Sequence, residues 1–101
     1  MLQKTFEQFV KDGSFRTKGD IESLFVMTVG LAGESGEVCE LLKKYVRDDK
    51  KINEDLLLEL GDVLHYLTMI AHTFDMSLND VMEANINKLI MRRKNNPNWK
   101  G

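Results

Sequence analysis

Two pairs of acidic residues in this sequence have the spacing of a metal site. Glu34 and Glu37 are three residues apart, and so are Glu59 and Asp62. On a helix, that spacing places both carboxylates on one face, within reach of a single ion. Four carboxylates brought together would repel one another, by about 4 kcal/mol for two charges 4 Å apart at an effective dielectric near 20. A divalent cation would turn this repulsion into attraction.

The residue types indicate which cation would fit. Carboxylate oxygens without a set of histidine or cysteine partners suit a hard ion such as Mg²⁺ or Mn²⁺. Mg²⁺ in proteins usually keeps some of its waters and takes further oxygens from a substrate phosphate. The acidic pairs therefore favour a site for Mg²⁺, with Mn²⁺ as the second choice, and for a phosphate-containing substrate.

Glycines interrupt both acidic pairs. Gly36 lies inside the first pair, Gly61 lies inside the second, and Gly33 directly precedes Glu34. An interior helix glycine costs about 1 kcal/mol relative to alanine, so a use other than helix stability is expected. A missing side chain lets two backbones, or a backbone and a phosphate, approach closely. We expect these glycines to let the helices and a polyphosphate crowd a shared metal ion.

The elements that position these acids are predicted to be helices. Proline occurs only at Pro97, and apolar residues recur at intervals of three and four. We predict a first helix over 2–11, followed by a loop over 12–20. Three further helices are predicted to run from the N-cap Asp20 to about 47, from the N-cap Asn53 to about 74, and from the N-cap Ser77 to about 94. Asp80 is predicted to complete a capping box with Ser77. The second helix is expected to bury Ile21, Leu24, Phe25, Leu31, Val38, Leu42 and Tyr45.

The short charged turn at 47–51 predicts that the second and third helices pack antiparallel. The two acidic pairs lie at similar distances on either side of this turn, so they should be level with each other. The third helix carries more apolar surface than a monomer of 101 residues would cover. We therefore predict a single all-α domain over 1–101, an antiparallel helical bundle completed by homo-oligomerisation.

Composition excludes several other classes of function. The chain has 14 basic and 16 acidic residues and a formal charge of −2, which gives no reason to expect a nucleic-acid-binding or anionic-membrane surface. It has no apolar run near the roughly 18 residues of a membrane span, and residues 1–11 do not resemble a secretory leader. We expect a cytoplasmic protein. Cys39, the only cysteine, is expected to be a small buried hydrophobe, and the methionines other than Met1 are expected to fill the core.

Three motifs in order resemble the signature of the MazG-like, all-α nucleotide pyrophosphohydrolases. Glu34 and Glu37 lie in "GLAGESGEVCELLKK", and Glu59 and Asp62 lie in "LLLELGDVLHYL" after an interval of 21 residues. The later "NINKLIMRR" resembles the third element of that family. The resemblance covers roughly residues 22–92.

The resemblance implies a fold, an activity and a set of roles. Members of the family form helical dimers or tetramers, bind Mg²⁺ through the four acids, and cleave a nucleoside triphosphate between the α and β phosphates to give the monophosphate and pyrophosphate. Carried over to this chain, Glu34, Glu37, Glu59 and Asp62 are the metal ligands and catalytic residues, with orientation of the attacking water as the alternative role for one of the glutamates. Asn85, Lys88 and Arg92 match the third element.

The basic residues suit phosphate recognition. Lys88 and Arg92 are four residues apart and share a helix face, with Asn85 one turn earlier. Lys44 follows Glu37 by seven residues, two turns along the same face, and is a further candidate for phosphate binding.

Two other functions remain open at this point. Asp62 and His65 form a carboxylate-x-x-histidine step related to the one that di-iron and di-manganese carboxylate bundles use. A non-catalytic helical module that oligomerises through its apolar faces is the second alternative. His65 itself is expected to be a core or interface residue, His72 to lie on the surface, and Trp99 to dock the C-terminus.

Overall fold

In the computed structural model, which describes residues 1–13 and 20–101, all regular secondary structure is helical. The helices are α1 (Leu2–Gly13), α2 (Ile21–Asp48), α3 (Asn53–Thr73) and α4 (Leu78–Asn95). The predicted all-α class is confirmed, and each predicted helix is present with ends within two residues of the observed ones. Most of the predicted loop over 12–20 lies outside the described residues.

Two of the three predicted N-caps are confirmed. The Asp20 carboxylate accepts a hydrogen bond from the Glu22 backbone N–H at 3.0 Å, and Ser77 and Asp80 form the reciprocal capping box of α4. The prediction that Asn53 caps α3 is wrong. Ile52 holds the N-cap position without a side-chain hydrogen bond, and its side chain is buried. Apolar burial therefore fixes the start of α3.

Helices α2 and α3 form an antiparallel hairpin that is the main packing unit of the protomer. Asp49, in the left-handed conformation at φ 53°, ends α2 and lets the chain reverse. Near the other end of the hairpin, the Thr73 hydroxyl of α3 lies 3.5 Å from the sulfur of Met27, which is almost fully buried in α2. The predicted antiparallel arrangement of the two motif-bearing helices is therefore confirmed.

Gly30 is the glycine of α2 that a side chain of α3 crowds. A Cβ atom built there would overlap the Tyr66 ring, with its Cδ1 atom only 2.7 Å away. By contrast, a Cβ at Gly36 would meet no atom within 4 Å. The aromatic ring of α3 therefore uses the space that a side chain at Gly30 would fill.

We expect Gly30→Ala to lower the free energy of unfolding by about 1–3 kcal/mol, because the added methyl forces the Tyr66 ring out of its packed position. Gly36→Ala is the matched control, and it should be neutral or stabilising by up to about 1 kcal/mol through helix propensity. Urea unfolding at a fixed protein concentration measures both. Equal stability of the two variants would show that the contact with Tyr66 does not limit packing.

A carboxylate on α1 joins three helices. Glu7 accepts hydrogen bonds from the Leu78 backbone N–H at 2.6 Å and from His72 Nε2 at 3.1 Å. Leu78 is the first residue of α4, and His72 lies in the last turn of α3. The α3 helix ends beyond it with Asp75 at φ 60°, in a Schellman arrangement in which Met76 N–H donates to Ala71 O at 2.9 Å. Glu7 thus holds α1 at the α3–α4 corner.

The protomer has a thin core. Among the described residues, the buried apolar side chains are Val10, Met27, Ile52, Ala71 and Leu78. Much of the stripe predicted to be buried on α2 is exposed, including Phe25 at 68% and Tyr45 at 55%. The predictions that Cys39 is buried and that Met76, Met82 and Met91 fill the core are also wrong, since all of these are exposed. The described residues do not cover these side chains enough to bury them.

None of the described helices combines the length and the apolar character needed to cross a bilayer.

Candidate metal centre

The α2–α3 hairpin brings acidic side chains from both predicted pairs together. One carboxylate oxygen each from Glu34, Glu59 and Asp62 lies within 4.8 Å of the other two. Glu34 and Glu59 are half-buried, whereas Asp62 is exposed. These residues come from two motifs that are more than twenty positions apart in the sequence. The structure therefore confirms, for these three residues, the prediction that the acids of α2 and α3 lie level with each other.

The antiparallel packing explains this placement. Gly30 of α2 faces Tyr66 of α3. Four residues after Gly30 on α2, Glu34 lies close to Asp62, which is four residues before Tyr66 on α3. The next turn of α2 carries Glu37, whose negative charge acts on Glu59. Glu37 is exposed and stands outside the group of three oxygens. It therefore lies beside the cluster, where a side-chain rotation changes its distance from the other carboxylates.

The electrostatics of the cluster are unfavourable without a cation. Desolvation raises the pKa of Glu59 above its ordinary value of 4.5, and the hydrogen bond with Glu34 raises it further. The negative charges of Glu34, Asp62 and Glu37 act in the same direction. Glu59 is thus the carboxylate on which the mutual repulsion of the group converges.

The glycines around the cluster do not let the two helices approach closely, which is one part of their predicted role. A Cβ at Gly33, Gly36 or Gly61 would meet no atom within 4 Å. The expectation that they bring the two helices together is wrong, because Gly30 has that role through Tyr66. What the three glycines leave is open space next to the carboxylates.

The donor set fits a hard divalent cation. The three clustered ligand atoms are carboxylate oxygens, and within the described ranges no histidine or cysteine joins them. Such a set suits Mg²⁺ or Mn²⁺ better than a soft ion. The pKa of Glu59, raised first by desolvation and further by the neighbouring carboxylates, is a second sign of fit, since a bound cation would relieve the repulsion among them.

The predicted phosphate-binding residues lie on two different helices. Lys44 is further along α2, where its charge adds to the hydrogen bond from Lys43 that lowers the pKa of Glu40. On α4, Asn85 and Lys88 line a largely apolar groove of about 630 Å³. Among the described residues, no ion pair links Lys44 or Lys88 to the clustered acids.

The third α4 residue contacts the C-terminal tail. The Arg92 guanidinium carbon lies 5.8 Å from the centre of the Trp99 ring. This contact agrees with the prediction that Trp99 docks the C-terminus.

The two histidines differ in their contacts. His65 packs edge-on against the neighbouring Tyr66 ring, with centroids 5.5 Å apart, and stays outside the acidic group. His72 contradicts the prediction of a surface residue, because it is partly buried and bonded to Glu7. No local pattern could reveal that partner, since it lies 65 residues away.

The fold and the cluster together define a class of protein. It is an all-α chain whose antiparallel hairpin presents three clustered carboxylates, with a fourth beside them. The family model for the MazG nucleotide pyrophosphohydrolase domain matches residues 23–96. This match covers most of the chain, including all four acids, so the chain belongs to the MazG nucleotide pyrophosphohydrolase family. That family suggests a hydrolase acting on nucleotides.

A relative is found in a bacteriophage. The chain is 40% identical over 78 residues to the Gene 37 protein of Mycobacterium phage L5, a span that covers 72% of this chain and 68% of the phage protein. The name of that protein does not state an activity. No solved structure gave a significant match to the chain.

Proposed function

We propose that the protein is a Mg²⁺-dependent nucleoside triphosphate pyrophosphohydrolase that cleaves NTPs or dNTPs between the α and β phosphates. The products are the nucleoside monophosphate and pyrophosphate. The observation that carries this proposal is the convergence of Glu34, Glu59 and Asp62 oxygens within 4.8 Å of one another. Membership of the MazG family supports the same chemistry.

The four acids have two tasks in this proposal. Glu34, Glu59 and Asp62, with Glu37 turning in from its position beside them, would hold the cation. A bound Mg²⁺ would neutralise phosphate charge, orient the triphosphate and lower the pKa of a water molecule. A glutamate that is not engaged with the ion would accept the proton of the attacking water at a carboxylate oxygen. Glu37 would take this second task whenever it does not turn in to the ion, because it stands outside the group of three oxygens.

The basic residues supply charge for the rest of the substrate. Lys88 and Arg92 on α4 and Lys44 on α2 would bind phosphate oxygens, with Asn85 contacting phosphate or sugar. Lys88 and Asn85 line the same groove, so both are accessible to a ligand. Open space at Gly33, Gly36 and Gly61 would admit the phosphate chain next to the acids.

Product identity tests the proposed reaction. The purified protein is incubated with the common NTPs and dNTPs in the presence of Mg²⁺, and the products are separated by ion-exchange chromatography. We expect equal amounts of monophosphate and pyrophosphate, and loss of turnover in Glu37→Gln. Release of orthophosphate alone, or activity unchanged in Glu37→Gln, would contradict the proposal.

The same proposal includes a homodimer or homotetramer. On α3, Leu57 is 74% exposed, and Leu60 and Leu64 are 48% and 40% exposed. These side chains recur along one face of the helix, and α4 contributes the exposed side chains of Ile86 and Ile90. Burying such faces would be worth about 25 cal/mol for each Å² removed from water. A second copy of the chain would supply the core that the protomer lacks.

We expect the wild-type protein to sediment as a dimer or tetramer at micromolar concentration, and Leu57→Lys to dissociate it because lysine places a charge in the buried interface. The matched control is Asn79→Lys, which adds the same charge at an exposed polar position of α4. Analytical ultracentrifugation measures the masses. A monomeric wild type, or an oligomer that Leu57→Lys leaves intact, would contradict this part of the proposal.

A further inference from the structure

The C-terminal tail folds back onto the end of α4 through a turn that its sequence favours. Asn96 N–H donates to Arg92 O at 2.9 Å where the helix ends, and Trp99 N–H donates to Asn96 O at 2.9 Å across the next turn. Pro97 occupies the second position of this turn, where its fixed φ is favoured. The turn therefore returns Trp99 to the last helical residues rather than extending it away.

The ring that returns meets a cation. The Arg92 guanidinium carbon lies 5.8 Å from the centre of the Trp99 ring, within the range of a cation–π interaction. Trp99 is half-buried, while its neighbours in the tail are exposed. Within the described residues, no carboxylate forms an ion pair with Arg92. The tryptophan is thus the partner that the structure gives to this side chain.

An arginine in a cation–π contact remains able to bind an anion. The guanidinium donates its hydrogen bonds in its own plane, so contact with an aromatic ring through one face leaves the N–H groups at the edge available. The ring also limits the rotamers of a flexible side chain, so less entropy is lost when a phosphate binds. An arginine held in this way is preorganised to bind a phosphate.

We propose that Trp99 is a positioning residue that holds Arg92 for the phosphates of the substrate. The inference rests on the proposed function, because Arg92 is assigned to the phosphates there. It adds a specific role for the tail, which no part of the MazG domain match explains, since that match ends at residue 96. Trp99 acts through Arg92 and makes no contact with the reacting atoms in this proposal.

Steady-state kinetics separate this role from a merely structural one. We expect Trp99→Ala to raise KM for the nucleotide by about 3- to 10-fold with kcat changed less than twofold, the scale of one cation–π contact. Trp99→Phe should restore most of the loss, because it keeps an aromatic face. In an Arg92→Ala background, Trp99→Ala should add no further effect. Arg93→Ala is the matched control and should leave KM unchanged.

Fluorescence gives a readout that does not depend on turnover. Trp99 is the only tryptophan, so tryptophan emission reports on the surroundings of this one ring. We expect the emission of the metal-free protein to change in Arg92→Ala but not in Arg93→Ala, and pyrophosphate to shift it only where Arg92 is present. Circular dichroism confirms that each variant is folded.

The outcomes distinguish the two levels of the proposal. If wild type hydrolyses NTPs while Trp99→Ala keeps the wild-type KM, or Arg92→Ala leaves the emission unchanged, the positioning role is wrong and the proposed function stands. A KM effect of Trp99→Ala that persists in the Arg92→Ala background and depends on the base would assign Trp99 to base stacking instead. If wild type hydrolyses no nucleotide, the proposed function itself fails, whatever the emission shows.

Discussion

Replacement of Glu59 by glutamine is expected to reduce NTP hydrolysis by at least about 100-fold, the scale on which a group in charge stabilisation or proton transfer contributes. The substitution keeps the shape of the side chain and removes the charge on which Glu34, Glu37 and Asp62 converge. The measurement is kcat/KM for the preferred nucleotide at saturating Mg²⁺. Glu83→Gln, at an exposed position of α4, is the matched control and should retain activity.

The same variant should make the metal-free protein more stable. The pKa of Glu59 is raised in the folded state, so the unfolded chain loses this proton first as the pH rises through 4.5. Ionisation of Glu59 therefore costs stability above that pH, and the cost is complete once the folded carboxyl has also ionised. We expect Glu59→Gln to unfold at a higher temperature than wild type at pH 7, with little difference below pH 4.

Mg²⁺ should reverse the order of the unfolding temperatures of wild type and Glu59→Gln. It is expected to raise the unfolding temperature of wild type, because an ion that binds only the folded state stabilises it, and to have a smaller effect on Glu59→Gln. Thermal unfolding with Mg²⁺ and with a chelator tests this point. If Glu59→Gln were both active and no more stable than wild type, the cluster would be neither a catalytic site nor a repulsive one.

Removal of the Glu7 carboxylate is expected to cost the largest amount of stability. Glu7→Ala leaves the Leu78 N–H and His72 Nε2 without their acceptor in a site where the Glu7 side chain is only 13% exposed. Loss of a charged acceptor from partly buried donors costs about 2–4 kcal/mol in total. For a domain of this size, the unfolding temperature should fall by roughly 10 °C or more.

A neighbouring residue provides the control for Glu7. Gln8 is exposed on the same helix, and its amide donates a hydrogen bond to the exposed Asp12, so Gln8→Ala should change stability by less than about 0.5 kcal/mol. Thermal unfolding of both variants is measured at one protein concentration, because any oligomer links stability to concentration. Equal stability of Glu7→Ala and wild type would show that this contact does not hold α1 in place.

The Glu7 contact also predicts a pH dependence. The Leu78 N–H lowers the pKa of Glu7 below its ordinary value of 4.5, and the hydrogen bond from His72 adds to this effect against the opposing influence of burial. The contribution of the carboxylate is therefore complete above pH 4.5 and is lost as the pH falls through the lower folded pKa. Wild type should become less stable relative to Glu7→Gln in that acidic range.

Local sequence signals were sufficient for the helices and for the acidic pairs. The capping box at Ser77, the N-cap at Asp20 and the spacing of three within each pair depend on residues close in sequence. The level placement of Glu34 and Asp62 followed from one additional fact, the short turn that makes α2 and α3 antiparallel. These features could be predicted because each involves one helix or one connection.

The features that were missed depend on contacts between distant parts of the chain. Nothing near Gly30 in the sequence distinguishes it from Gly33 or Gly36, and only the position of Tyr66 makes it the crowded one. The bond between Glu7 and His72 joins residues 65 positions apart. Cys39 is predicted to be a small buried hydrophobe because the chain has no second thiol to pair with it, but burial depends on what packs against that face.

The central claim, that the acidic cluster holds a hard divalent cation beside a polyphosphate, is tested most directly by Mn²⁺ binding. Electron paramagnetic resonance measures free Mn²⁺ as protein is added, with and without a non-hydrolysable triphosphate analogue. Wild type is predicted to remove Mn²⁺ from solution in a saturable way, most strongly with the analogue present, and Glu34→Gln to remove much less. A free Mn²⁺ signal that wild type leaves undiminished in both conditions would contradict the claim.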